Sequence, residues 1–230
     1  MSRPRGGAAN RHSPAPLRRL LSACDDQCMT LELPELPFPL RPYGPDGHWS
    51  YADGVLTGVA GDRQDRFVPP TGESLESVSD APRLLGAPDG DFQLIARVCV
   101  GFRGAFDAGV LYVHVGEQAW AKLCLEYSPD APTVCTVVTR GHSDDCNSFT
   151  VEGDSVWFRV SRSGRAFAFH ASLDGKRWTF VRLFTLGDER ETGAALVGFL
   201  AQAPTGEGCT VTYDHLEFRP AWPADLRDGS

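Results

Sequence analysis

The densest run of chemically capable side chains is Arg140-Gly141-His142-Ser143-Asp144-Asp145-Cys146-Asn147-Ser148, which brings guanidinium, imidazole, hydroxyl, carboxylate and amide groups into nine residues. Such a set offers the paired donors and acceptors by which sugar hydroxyls are held. The run is expected to form a loop at a rim, where binding groups gather. The alternative is a long hairpin connection whose Asp, Asn and Ser side chains bond their own backbone. Asp144, Asp145 and Asn147 also offer oxygen ligands to calcium, but their spacing matches no EF-hand loop.

A second group lies in Ala121-Lys122-Leu123-Cys124-Leu125-Glu126-Tyr127. On a pleated strand Lys122, Cys124 and Glu126 share one face, and Ala121, Leu123 and Leu125 share the other, which must pack inward. Lys122 and Glu126 are then about 13 Å apart at roughly 3.3 Å per residue, too far to pair directly. Thr136, Val138 and Arg140 are expected on one face of the next strand, so that Arg140 meets a carboxylate across the ladder. Two readings follow. Lys122, Glu126 and Arg140 form an exposed salt-bridge ladder, or Lys122, Glu126, Arg140, His142, Ser143, Asp144 and Asn147 line a concave polar groove for a hydroxylated ligand.

Hydrolysis of a glycan with retention needs two carboxylates about 5–5.5 Å apart, commonly two residues apart on one strand. No Glu-x-Asp-x-Glu run exists here; Glu126 stands alone and Asp144-Asp145 are adjacent, hence pointing apart. No catalytic residue is assigned. His170 alternates with Phe169 and is expected on the face opposite the core, structural or solvated. Phosphate-loop, dinucleotide and nucleophile-elbow patterns are absent.

The elements that must position these groups follow from hydrophobic period. Phe92, Leu94, Ala96, Val98, Val100 and Phe102 alternate with Gln93, Ile95, Arg97, Cys99 and Gly101, a period of two. Similar runs cover 108–115, 120–127, 133–140, 155–162, 166–172, 177–184, 194–203 and 209–219. Asp53-Gly54, Asp89-Gly90, Ser163-Gly164 and Asp174-Gly175 supply turns between them. About ten to twelve strands without long helices predict an all-β fold, a two-sheet antiparallel sandwich or jelly roll. Leu31–Tyr43, with Pro34, Pro37, Pro39 and Pro42, is expected to run along an edge.

The chain has 230 residues, 22 Lys plus Arg, 30 Asp plus Glu and a net charge of −8. That balance argues against nucleic acid or an anionic membrane surface as partner. No run of roughly 18–20 apolar residues would span a bilayer. Residues 1–28 hold five Arg and three Pro and are expected to be a disordered or untranslated leader, with 29–220 the sandwich domain and 221–230 a C-terminal tail. Seven Cys, an odd number with no secretion signal, are expected as reduced thiols in a cytoplasmic protein. No metal or cofactor is expected, and the oligomeric state has no signature.

The motifs Phe106-Asp107-Ala108-Gly109-Val110, Trp120–Tyr127, Val137-Val138-Thr139-Arg140-Gly141-His142-Ser143-Asp144, Val156-Trp157-Phe158-Arg159-Val160 and Ser172-Leu173-Asp174-Gly175-Lys176-Arg177-Trp178 resemble a family. It is the bacterial concanavalin-A-like lectin/glucanase-fold family of unassigned function that includes a yeast regulator of enolase. The resemblance covers roughly 37–220 and implies a jelly-roll sandwich with one concave sheet. This chain departs from the family pattern at Asp145-Cys146, where an aromatic is expected after Ser-Asp. The expected function is a non-enzymatic binding domain for a carbohydrate or other polyhydroxylated molecule. The alternatives are a glycan-acting enzyme with Glu126 as acid or base, and a regulatory protein-interaction domain.

Overall fold

A computed structural model describes residues 30–72 and 80–229. The expected leader therefore lies outside the described residues, as do Cys24 and Cys28. Among the described residues the chain forms fourteen strands and one short helix, Glu189–Gly193, which Asp188 and Glu191 cap reciprocally. No described helix is long and apolar enough to cross a membrane.

The strands make two antiparallel seven-stranded sheets, the sandwich that the alternation predicts. Across the first run β1 (Arg41–Tyr43), β4 (Arg83–Gly86), β13 (Leu196–Gln202), β6 (Ala108–Gly116), β7 (Ala119–Tyr127), β8 (Pro132–Arg140) and β9 (His142–Thr150). Across the second run β12 (Thr179–Thr185), β11 (Ala166–Ser172), β10 (Ser155–Ser163), β5 (Phe92–Gly101), β14 (Cys209–Arg219), β3 (Val55–Ala60) and β2 (His48–Ala52). β1 is an edge strand, as the proline run requires, while Leu33, Leu36, Phe38 and Leu40 just before it turn inward and are buried.

One continuous core fills the space between the sheets. It takes Phe92, Leu94, Ala96, Val98 and Val100 from β5 and Ala121, Leu123 and Leu125 from β7, the alternate residues that period two assigns to it. β6 contributes Leu111 and Val113, with Gly109 between the sheets. A Cβ at Gly109 would stand 2.5 Å from Val211 and 2.6 Å from Val98, so the facing sheet approaches too closely for any side chain there.

Two expectations are corrected. The Arg140–Ser148 run is not a rim loop: a tight turn at Gly141 (φ +80°) leads directly into β9, the edge strand paired with β8. It has no apolar alternation because its one neighbour is β8, and its charged side chains keep the free edge from pairing further. Arg140 also faces the wrong way to meet Lys122 or Glu126. β8 is registered with Val137 opposite Lys122 and Thr133 opposite Glu126, so Thr136, Val138 and Arg140 belong to the opposite face.

Candidate functional site

The outer face of the first sheet carries a second apolar cluster, including Val110, Tyr112, Trp120, Cys124, Cys135, Val137 and Leu200. These residues are buried because residues 61–72 cross the sheet as a strap. At one end the Ala203 N–H donates to the Gln64 carbonyl at 2.8 Å. At the other, Val68 N–H donates to Ser143 Oγ at 2.9 Å, and Ser143 N–H returns a bond to the Val68 carbonyl at 2.9 Å.

Arg66 rivets the middle of the strap. Its Nε donates to Tyr112 Oη at 2.8 Å, Nη1 to Asp80 at 2.9 Å and Nη2 to Glu117 at 2.8 Å, while the guanidinium lies 5.3 Å from the Trp120 ring centre. Burial works against the charge, but Tyr112, Glu117 and Asp80 hold the guanidinium above its ordinary value. Arg83 adds a paired contact to the same Asp80 carboxylate.

Beside the strap opens a cavity of about 310 Å³, lined by Asp65, Phe67, Phe106, Lys122, Glu126, Val137, Asp145, Gln202 and Pro204. That size is near the lower end of the roughly 300–1,000 Å³ usual for small-molecule sites. Grooves of about 450 and 460 Å³ at the proline-rich Glu32–Pro39 segment are larger, but bring together no comparable set of facing polar groups.

Lys122 is not an exposed ladder residue: it is 1% exposed, because the strap covers it. Its Nζ donates to Gln202 Oε1 at 2.9 Å and stands 3.4 Å from Asp65 Oδ1. Gln202 Nε2 donates in turn to Glu126 Oε2 at 3.2 Å and to the Phe106 carbonyl at 3.2 Å. One amide thus bridges the two charged groups that strand geometry holds too far apart to touch. Burial opposes the Lys122 charge, yet Asp65 is foremost among the groups that hold its ammonium above the ordinary lysine value.

Glu126 responds in the other direction. Burial pushes its carboxyl up to about 7, against the partial relief of Lys122 and with Asp145 and Asp65 adding repulsion. Burial also raises the Asp145 carboxyl. The cavity therefore holds three carboxyl groups to one ammonium, and Glu126 gains and loses its proton near neutrality.

Phe106 sits at φ +66°, a conformation that bulky side chains rarely adopt, and 39% of it is exposed. Its loop is fixed by Asp107, whose Oδ2 accepts from the Arg103 and Gly104 N–H groups at 2.7 and 2.9 Å. Phe106 N–H donates to the Tyr127 carbonyl at 2.8 Å. The strained backbone holds an aromatic ring at the cavity wall.

Of the residues singled out from sequence, Lys122 and Glu126 line the cavity. Ser143 is buried under the strap and bonds Thr139 Oγ1 at 2.9 Å as well as Val68. Asp144 projects to the other face of β9, paired with Arg182 at 3.1 Å, whereas Asp145 enters the cavity. Arg140, His142 and Asn147 are exposed along the β8–β9 edge, outside the cavity lining. Asp65, Phe67, Phe106 and Gln202 receive no role from the sequence, and Asp145 only that of a calcium ligand within the polar run. Gln202 carries a legible signal, since it alternates with Phe199 and Ala201 and so must face outward; the strap residues carry none.

With Asp144 and Asp145 on opposite faces, the calcium set falls apart. Among the described residues no group of three or more His, Cys, Asp or Glu is arranged to hold a metal ion. The five described cysteines are free thiols. Ser143→Ala is expected to cost about 1–3 kcal/mol by leaving the Val68 N–H without its acceptor. Urea unfolding, with faster hydrogen exchange at Val68, measures that loss.

A family model described as Protein of unknown function (DUF1349) matches residues 44–221. The chain belongs to that family. This DUF1349 member is similar to Regulation of enolase protein 1 from Saccharomyces cerevisiae (strain ATCC 204508 / S288c), 29% identical over 140 residues, which cover 58% of this chain and 67% of the yeast protein. Its fold is similar to a crystal structure of a functionally unknown protein from Saccharomyces cerevisiae, with TM-score 0.70 and 21% identity over 79% of this chain and 96% of that one. It is also similar to the GH43 BlXynB protein from Bacillus licheniformis, with TM-score 0.59 and 14% identity. There 75% of this chain is covered and only 34% of the GH43 chain, so the likeness concerns about a third of that protein. These structural likenesses establish a sandwich fold shared with part of a GH43 protein.

Proposed function

We propose that this DUF1349 member is a non-enzymatic binding domain of the cytoplasm, and that the cavity beside the strap takes a carbohydrate or other polyhydroxylated ligand. The observation that carries the reading is the pairing of an exposed, strained Phe106 with Lys122, Glu126, Asp145 and Gln202 in one small cavity. An aromatic face meets the apolar side of a sugar ring, and carboxylate, amide and ammonium groups meet its hydroxyls. The space suits one sugar unit. A longer ligand would continue along β9, where Asn147, registered opposite Cys135 on the cavity face, offers a further polar contact, whereas Arg140 and His142 lie on the other face. The acidic balance of the chain and of the cavity disfavours nucleic acid.

A glycan array probed with the full chain is expected to return a restricted set of glycans. Phe106→Ala is expected to weaken their binding about tenfold or more, as loss of a stacked ring does, without lowering thermal stability. An array with no specific binder, or binding indifferent to Phe106→Ala, would reject the proposal.

A glycan-acting enzyme is the second reading, favoured by one observation. A carboxyl pushed up to about 7 beside a second carboxyl has the character of a general acid or base. In that case turnover of aryl glycosides would vanish in both Glu126→Gln and Asp145→Asn.

A further inference from the structure

The second sheet holds a polar recess on its outer face, on the opposite side of the molecule from the cavity. On β10, Arg159 and Ser161 alternate with the core residues Phe158 and Val160 and therefore point outward. His170 of β11 is registered opposite Arg159, and Gln93 of β5 opposite Ser161. All four are buried, with Ser161 and His170 at 0% exposure. Burial pushes His170 down to about 4, with Arg159 adding repulsion.

The C-terminal segment after β14 helps to close this recess. Arg159 Nη2 donates to the Asp228 carbonyl at 3.1 Å, and the guanidinium lies 4.8 Å from the Trp178 ring centre. Trp178 N–H donates to the Gly229 carbonyl at 3.3 Å. Even so, Ser161 Oγ and Gln93 Oε1 make no hydrogen bond, and the only hydrogen-bond partner of the His170 ring among the described residues is the Asp228 backbone. Buried polar atoms left in this way are costly, and a cluster of them needs a physical reason.

Three of these groups can donate, the neutral imidazole from one nitrogen, while Gln93 Oε1 only accepts. A guanidinium, a hydroxyl and an imidazole occupy neighbouring outward positions on β10 and β11, and Arg219, registered opposite Gln93, adds positive charge while paired with Glu217. An oxyanion with several lone pairs matches these donors, and Asp228 of the segment, whose charge acts on both Arg159 and His170, holds the place of such an anion. We propose that this recess is a second binding site, for an oxyanion of the phosphate or carboxylate type, and that the chain's own C-terminal segment occupies it as a displaceable stand-in. The ligand gains access when the segment lifts, so apparent affinity scales with the fraction of molecules in which it has lifted.

Gly229 provides the means to test this in the full chain. A Cβ there would come 2.2 Å from the Trp178 carbonyl oxygen, so Gly229→Val unlatches the segment while leaving both sheets intact. Calorimetric titration with inorganic phosphate is expected to show binding at least tenfold tighter in Gly229→Val than in wild type, with tryptic cleavage at Arg227 accelerated. Adding Ser161→Ala to that variant is expected to weaken phosphate about tenfold with no fall in thermal stability, because Ser161 Oγ has no hydrogen bond to lose. Acetate, titrated in parallel, separates the sources: tightening for acetate alone assigns a carboxylate rather than a phosphate. Unaccelerated cleavage, equal affinity of the two chains for both anions, or binding indifferent to Ser161→Ala would overturn the proposal.

Discussion

Glu126→Gln is expected to make the protein more stable above pH 7, by about 3 kcal/mol. The Glu126 carboxyl titrates near 7 in the fold against an ordinary value of 4.5, and one unit of displacement corresponds to about 1.4 kcal/mol. A carboxyl raised in the fold holds its proton more tightly folded than unfolded. Its contribution is therefore most favourable below about 4.5, declines as pH rises through about 7, and is level beyond. The amide that Glu126→Gln introduces stays neutral throughout and can still accept from Gln202, so the difference between the two chains should open over that window and close on acidification. Urea unfolding at pH 5 and pH 8 reads it directly. A Glu126→Gln chain less stable than wild type at pH 8 would show that the ionised carboxylate is compensated by the fold, which would remove the reason to assign it a ligand.

Lys122→Met carries the opposite sign and a larger magnitude. The side chain fits a similar volume, but the buried ammonium leaves behind Asp65, the Gln202 carbonyl oxygen and a Glu126 that has lost its nearest positive charge. Breaking a buried pair on one side typically costs about 3–5 kcal/mol. The loss should be smaller at pH 5, where the Glu126 carboxyl has taken up its proton and no longer needs the ammonium. Denaturant unfolding at pH 5 and pH 8 measures both features. A loss under about 1 kcal/mol at pH 8 would mean that Lys122 behaves as the exposed ladder residue suggested by the strand pattern alone.

That contrast marks where sequence reasoning succeeds and where it stops. Alternation identifies β5 and β7 and the faces of their residues, because burial between two sheets imposes a period that does not depend on distant partners. The outward positions of Lys122 and Glu126 follow from it. Their burial does not, since the cover comes from Asp65 and its neighbours, 57 residues away from Lys122 and without any periodic pattern. β9 escapes for a related reason. An edge strand with one neighbour need not alternate apolar and polar residues, and Ser143-Asp144-Asp145 reads as a loop although it pairs residue by residue with β8. Arg140 lies on the face opposite to the one expected because strand register is set by pairing, which fixes Val137 and not Val138 opposite Lys122. The polar recess under the C-terminal segment was legible only as a lone outward His170; its burial again depends on a cover far along the chain.

The proposed site depends on Glu126 being an undercompensated carboxyl that a ligand meets. A carbon-13 NMR titration of its side-chain carboxyl, without and with a glycan taken from the array at saturation, tests that most directly. The predicted result is a midpoint near 7 in the free protein that moves by a unit or more when the glycan is bound. A midpoint near 4.5, unmoved by any glycan that binds, would contradict it.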